Sequence, residues 1–165
     1  MGNRVNIQIK DSLKKQPAQC TIYIHWNGGE ESTHAFFNAV FDFMASQSRS
    51  GDLEYFTARF IQTIGQFFGG ALSLAVNNRP LNSDEGFNDN PGKVFDVNQR
   101  AETYFKGDQL EKYQYIYKDC LGYLFSTLSE WEFKQQNPEN QKKALDYLKT
   151  KTDTLEQVKK ATTAK

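Results

Sequence analysis

The stretch Thr21-Ile22-Tyr23-Ile24-His25-Trp26-Asn27-Gly28-Gly29 decides the fold, because it alternates as a strand and then turns through an asparagine and two glycines. Successive strand side chains point to opposite faces, so Cys20, Ile22, Ile24 and Trp26 are expected to seek a core while Thr21, Tyr23 and His25 face away from it. Glycine reaches positive φ at little steric cost and asparagine tolerates it better than most residues, so the backbone must turn there. Ser32 then reads as the N-cap of a helix beginning about Thr33, with Glu30 and Glu31 near its positive end. A strand, a glycine turn and a helix start can also cradle phosphate. Neither G-x-x-x-x-G-K-[ST] nor G-x-G-x-x-G is present, and two carboxylates at the helix start would repel such a ligand.

On the N-terminal side, Val5, Ile7 and Ile9 alternate with Asn6, Gln8 and Lys10, the period of a half-buried strand. Residues 11–19 are polar, so this strand and the next are expected to form an antiparallel hairpin. On the C-terminal side, Phe36, Phe37, Val40, Phe41, Phe43 and Met44 recur at helical spacing. Asp52 reads as the N-cap of a second helix carrying Leu53, Phe56, Phe60, Ile64 and Phe67, closed by Gly69-Gly70. Phe56, Phe60 and Ile64 share one face of it and are expected in the core, while Arg59 and Gln62 read as an exposed, snorkelling face.

Residues 71–76 read as a third strand with Leu72, Leu74 and Val76 on one face. Residues 77–93 are rich in Asn, Asp, Gly and Pro, and a connection of that length is functional or loosely ordered. It lacks the glycine and glutamate positions of a calcium loop, so no metal is expected. Residues 94–97 and 101–105 flank a turn-like Asn98-Gln99-Arg100 and suggest a hairpin, and Tyr113, Tyr115 and Tyr117 alternate as in a further strand. Leu121, Leu124, Phe125, Leu128 and Trp131 form a helical stripe. Asn137-Pro138 starts a last helix with a thin stripe of Leu145, Leu148, Leu155 and Val158 among solvated lysines.

A chain of 165 residues suits one domain, read as an α+β core over residues 1–136 with the C-terminal helix 137–165 as part of it. The 20 basic and 20 acidic residues cancel, which removes the electrostatic case for direct nucleic-acid binding. Cys20 and Cys120 have no C-x-x-C spacing and no apolar N-terminal run marks export, so reduced thiols in a cytoplasmic protein are expected. No stretch is long enough to cross a membrane. Asn6 stands where N-myristoylation wants Ser or Thr.

The candidate catalytic constellation is Arg4, His25, Asn27 and Glu30, joined by Arg59 if its helix folds back. Against it, His25 and His34 lack zinc spacing, Ser32 lacks a G-x-S-x-G elbow, and neither cysteine has a neighbouring base. The simpler reading is that His25 and Asn27 satisfy backbone groups around the turn.

Met1-Gly2-Asn3-Arg4, a strand, then Tyr23-Ile24-His25-Trp26-Asn27-Gly28-Gly29 and a helix resemble small uncharacterised proteins of phages and other mobile elements. Those begin Met-(Gly or Ser)-(Thr or Asn)-Arg and carry a His-Trp-(Asp or Asn)-Gly turn. The likeness covers the first half of the chain and residues 94–105; many such proteins have tyrosine at the position of Gly29. What the resemblance implies, by association, is inhibition of host defence, as by anti-CRISPR proteins that bind and block a nuclease complex.

The expected architecture is α+β: an antiparallel sheet covered by two Phe-rich helices, with a helical C-terminal extension. The expected function is non-enzymatic binding to a host protein or nucleoprotein complex, without cofactor. Glu30, Glu31, Asp84, Glu85 and Asp89 are the acidic groups expected to meet the partner's basic surface. The alternative is a small hydrolase resembling the N-terminal-nucleophile fold and using the His25–Asn27 turn with Arg4. Gly2, first after removal of Met1, would supply that alternative with no side-chain nucleophile.

Overall fold

Strand β1 (Val5–Lys10) buries Val5, Ile7 and Ile9 as its alternation requires, and it is the strand on which the sheet is assembled. The computed structural model describes residues 2–68, 72–81 and 89–164. β1 pairs antiparallel with β2 (Thr21–Ile24), in the register Val5 to Ile24 and Ile7 to Ile22. The connecting turn is set by Asp11, whose Oδ1 accepts from Leu13 N and Lys14 N, both at 3.1 Å, and by Lys15 at φ 53°. β3 (Leu74–Asn77) extends the sheet antiparallel to β2, and β4 (Lys93–Asp96) lies on the far side of β1, giving the order β3-β2-β1-β4.

β4 runs parallel to β1, so the sheet is mixed where a purely antiparallel one was expected. Residues 94–105 do not close into a hairpin. After β4 the chain is turned by Asp96 Oδ1, which accepts from the Asn98 amide at 3.0 Å, and it then leaves the sheet for a helix. There Asn38, fully buried, accepts from Ala101 N at 2.8 Å and donates to Ala101 O at 3.0 Å. A side-chain amide thus supplies the pair of bonds that a neighbouring strand would have given.

The helices build outward from the sheet, the first two meeting it, the third packing on the first, and the last packing on the third. α1 (Glu30–Ser46) begins three residues earlier than the sequence suggests, with Gly29 in extended conformation as N-cap and Ser32 buried inside the first turn. It is hydrophobic nearly all round because it is covered on both sides. Phe37 stacks on Phe95 of β4, ring centroids 4.5 Å apart, and Phe43 meets Phe125 edge-on at 5.3 Å. α2 (Leu53–Phe68) lies beside it and buries Phe56, Phe60 and Ile64 as expected. Its Gln62 is half-buried and donates to the Tyr123 hydroxyl at 2.9 Å, while Arg59 is half-buried with its Nε enclosed and unbonded, so neither is the freely solvated group the sequence suggests.

Residues 107–126 form helix α3 (Gly107–Ser126), so Tyr113, Tyr115 and Tyr117 do not lie on a strand. The alternating tyrosines mask a longer helical stripe of Tyr113, Ile116, Cys120, Leu121 and Leu124, all buried, while Tyr115 points to solvent. Tyr113 and Tyr117, one turn apart, stack at 5.9 Å. A short helix, α4 (Glu130–Lys134), opens on a capping box of Ser129 and Glu132 and leaves Trp131 exposed rather than in the core. α5 (Pro138–Thr163) starts as expected, Asn137 accepting from Asn140 N at 2.8 Å and Pro138 in the first turn. It packs on α3 through Ala144 and Tyr147, whereas Leu145, Leu148, Leu155 and Val158 are exposed. Leu72, ahead of β3, and Val76 within it are exposed. Among the described residues no helix is long and apolar enough to cross a membrane.

Candidate functional site

The connection from β3 to β4 must cross from one edge of the sheet to the other, and its last residues are fastened to the turn that follows β2. Asn27 takes positive φ, 57°, and lets the chain reverse. Gly28 N then donates to Asn3 O at 2.8 Å, and Asn3 N donates to His25 O at 2.9 Å. Against this frame Asp89 accepts from Arg4 N at 2.9 Å, Arg4 Nε at 3.0 Å and a terminal Arg4 nitrogen at 3.2 Å. Asn90 N donates to Arg4 O at 3.1 Å, and Asn90 Nδ2 donates to Asn3 Oδ1 and Arg4 O. Arg4 and Asp89 form a bidentate charge-assisted pair, the geometry in which a guanidinium holds a carboxylate most specifically.

His25 is hydrogen-bonded through Nδ1 to the Tyr23 hydroxyl at 2.9 Å and sits edge-on to Trp26, ring centroids 4.8 Å apart. Trp26 is exposed, since β2 ends at Ile24 and the core face ends with it. Arg4, Tyr23, His25 and Asp89 therefore gather at one end of the sheet. Asn27 contributes its backbone conformation. Arg59 shares no hydrogen bond or ion pair with this group, and Glu30 is engaged elsewhere.

The Arg4 bonds hold the Asp89 carboxyl down to about 2, below its ordinary 3.8. A carboxylate whose folded value is lowered stabilises the fold above its unfolded value and loses that contribution as pH falls through the folded one, here between about 3.8 and 2. The carboxyl carbon of Asp89, followed by NMR, should titrate near 2 and move toward 3.8 in Arg4→Gln. Titration at 3.8 in the unaltered protein would mean that the clasp is open in solution.

A second polar cluster lies beyond β4. Glu30, at the start of α1, is bonded by the Lys93 ammonium and the Tyr104 hydroxyl, and the lysine pairing holds its carboxyl below the usual range. His34, one turn on, donates from Nδ1 to Glu102 O at 2.8 Å and meets the edges of Phe95 and Phe105, both at 5.6 Å. Glu30, His34, Lys93, Phe95, Glu102 and Tyr104 line a cleft of about 510 Å³. Next to it Asp42 binds Arg100 through Nε at 3.1 Å and a terminal nitrogen at 3.0 Å. Burial and Asp42 push the Tyr117 phenol up.

Of the acidic residues expected to meet a partner, Glu30 is half-exposed and paired, Glu31 is largely covered and pairs with Lys112 at 3.4 Å, and Asp89 is held in the clasp. Asp84 and Glu85 lie outside the described residues. Asn90, Lys93, Glu102 and Tyr104 carried no local signal in the sequence, because each acquires its role through a partner more than sixty positions away. Among the described residues no group of three or more His, Cys, Asp or Glu side chains is placed to hold a metal ion. Comparison of the chain with known protein families, curated proteins and solved structures found no match.

Proposed function

We propose that the protein acts by binding another macromolecule, without catalysis of its own. The observation that carries this reading is the clasp: Arg4 is occupied by Asp89 and Asn3 by Asn90, which fastens a loop to the sheet, while His25 Nδ1 is taken up by the Tyr23 hydroxyl. A general base needs reach to a substrate proton, and a charged clamp needs an open valence. The resemblance of residues 1–29 to phage and mobile-element proteins directs the first search for a partner to host defence complexes of the kind blocked by anti-CRISPR proteins.

Immobilised protein should capture a discrete partner from host lysate, identified by mass spectrometry. His25→Gln should capture it equally well while losing about 0.5–1.5 kcal/mol of stability with the Tyr23 hydrogen bond. If His25→Gln remained folded and kept its partner yet lost biological activity, the reading would fail and the hydrolase using the His25–Asn27 turn would take its place.

A further inference from the structure

β3 is an outer strand of the sheet, and its free edge carries main-chain groups without partners. His25 N donates to Ser73 O at 3.0 Å, so in the antiparallel register of β2 with β3 the bonded pairs are His25 with Ser73, Tyr23 with Ala75 and Thr21 with Asn77. Leu74 and Val76 fall between them and turn N–H and C=O outward, and among the described residues none of these four groups is bonded. Their side chains share the core face with Ile24 and Ile22, yet Leu74 is only half-buried and Val76 is 52% exposed. Helix α2 stands above them with its smallest residue, a Cβ on Gly65 meeting Leu74 Cδ2 at 3.5 Å. Neither a charged residue nor a proline occurs between Arg59 and Arg79, in a chain that is 24% charged, so the usual devices that blunt a sheet edge are missing from this one.

We propose that two copies of the chain join through this edge, β3 against β3 antiparallel, in the register that places Ala75 on the two-fold axis. The occupant is a second copy because the edge complements itself there. Leu74 exchanges two bonds with Val76 of the second copy, and Val76 two with its Leu74, so every outward group of β3 is used; a shift by two residues either way would leave half of them unpaired. Ala75 meets its own copy across the axis, at a non-bonded pair where side chains come closest, and two methyl groups fit. Ser73 faces Asn77 of the second copy, both polar and uncharged. A two-fold contact sets a strand against itself, so a charged edge would meet like charge, and this one carries none. The two sheets become one with their apolar faces on the same side, and Leu74 and Val76 of each copy are covered by those of the other.

Sedimentation equilibrium of the full chain, from micromolar to millimolar concentration, should show the mass doubling. Over the same range, exchange of the outward amides of Leu74 and Val76 should slow about tenfold as the dimer fills, while Ala75 and Asn77, already turned toward β2, change far less. Ala75→Glu and Ala75→Lys each set like charges face to face on the axis, and both variants, shown to be folded by circular dichroism, should stay monomeric. Mixed in equal amounts they should pair again, because opposite charges then meet. A chain that is monomeric at every concentration, or a dimer whose Leu74 and Val76 amides exchange as fast as in the monomer, would overturn the proposal, and both measurements are made on the unaltered protein. Folded Ala75→Glu that dimerises as well as the unaltered chain, or a mixture of the two variants that stays monomeric, would overturn the register. Protection of Leu74 and Val76 only in the presence of a captured host protein would give the edge to that protein and overturn self-pairing.

Discussion

Replacing Phe37 by alanine is expected to lower the stability of the fold by about 3–5 kcal/mol, the range for removing a fully enclosed aromatic side chain. Phe37 is 0% exposed and stands where three elements meet. Its ring stacks on Phe95 of β4 and lies 4.9 Å from Phe56 of α2 and 6.1 Å from Phe41 of its own helix. No side chain nearby is free to collapse into the space, since Phe56, Phe60 and Val40 are themselves buried in fixed packing. The loss should fall most heavily on β4, whose buried core residue is Phe95, followed by Val97 just beyond the strand. Chemical denaturation would measure it. A midpoint within error of the unaltered protein would remove Phe37 from the core and with it the stacking of α1 on the sheet.

Gly28→Ala is expected to cost toward the upper end of about 1–3 kcal/mol, because the added methyl has nowhere to go. A Cβ at Gly28 would lie 2.6 Å from Asn3 O, 2.9 Å from the Arg4 carbonyl carbon and 2.9 Å from Asn90 Nδ2. Two of these are backbone and the third is fixed by its own hydrogen bonds, so relief requires the strand end, the turn or the loop to move. Such a movement lengthens the bond from Gly28 N to Asn3 O and loosens the seat of Asp89. The variant should therefore show Asp89 titrating closer to 3.8 and faster amide exchange at Asn90. If stability and the Asp89 titration were both unaltered, the two chain segments would not approach this closely in solution.

The elements that could be read from the sequence are those whose partners are local or whose period is long. The β1–β2 hairpin and the two Phe-rich helices follow from alternation and from three and four residue spacing, and Asn137-Pro138 marks the start of α5 by capping chemistry alone. The tyrosines of α3 misled because three residues at period two outweighed a buried stripe that becomes plain only over the longer run from Tyr113 to Phe125. β4 misled for a different reason. The hydrogen bonds that should have gone to a hairpin partner are made by the side chain of Asn38, and no pattern near residue 101 announces an acceptor on α1. At the turn the sequence offered Arg4, His25 and Asn27 as a candidate catalytic group, or His25 and Asn27 as satisfying nearby backbone groups; the structure pairs Arg4 with Asp89 and His25 Nδ1 with the Tyr23 hydroxyl. The partner of Arg4, residues 89–90, sits at the end of a loop whose composition tells of turns and nothing of where they dock.

The parallel pairing of β1 with β4 also sets an order of assembly on the chain. Ile7 finds Ile22 across a short hairpin, but its other neighbour in the sheet is Lys93. Closing the longer loop carries the larger entropic penalty, and contacts of such separation form late and slow the search for the native state. A chain emerging from the ribosome can build β1, β2, α1 and α2 in sequence while one whole edge of β1 remains without its ladder. That edge is a template for pairing with any other extended chain until residue 96 has left the tunnel. The Arg4–Asp89 pair joins the same two distant parts of the chain and, like the β1–β4 ladder, can form only after both have left the tunnel.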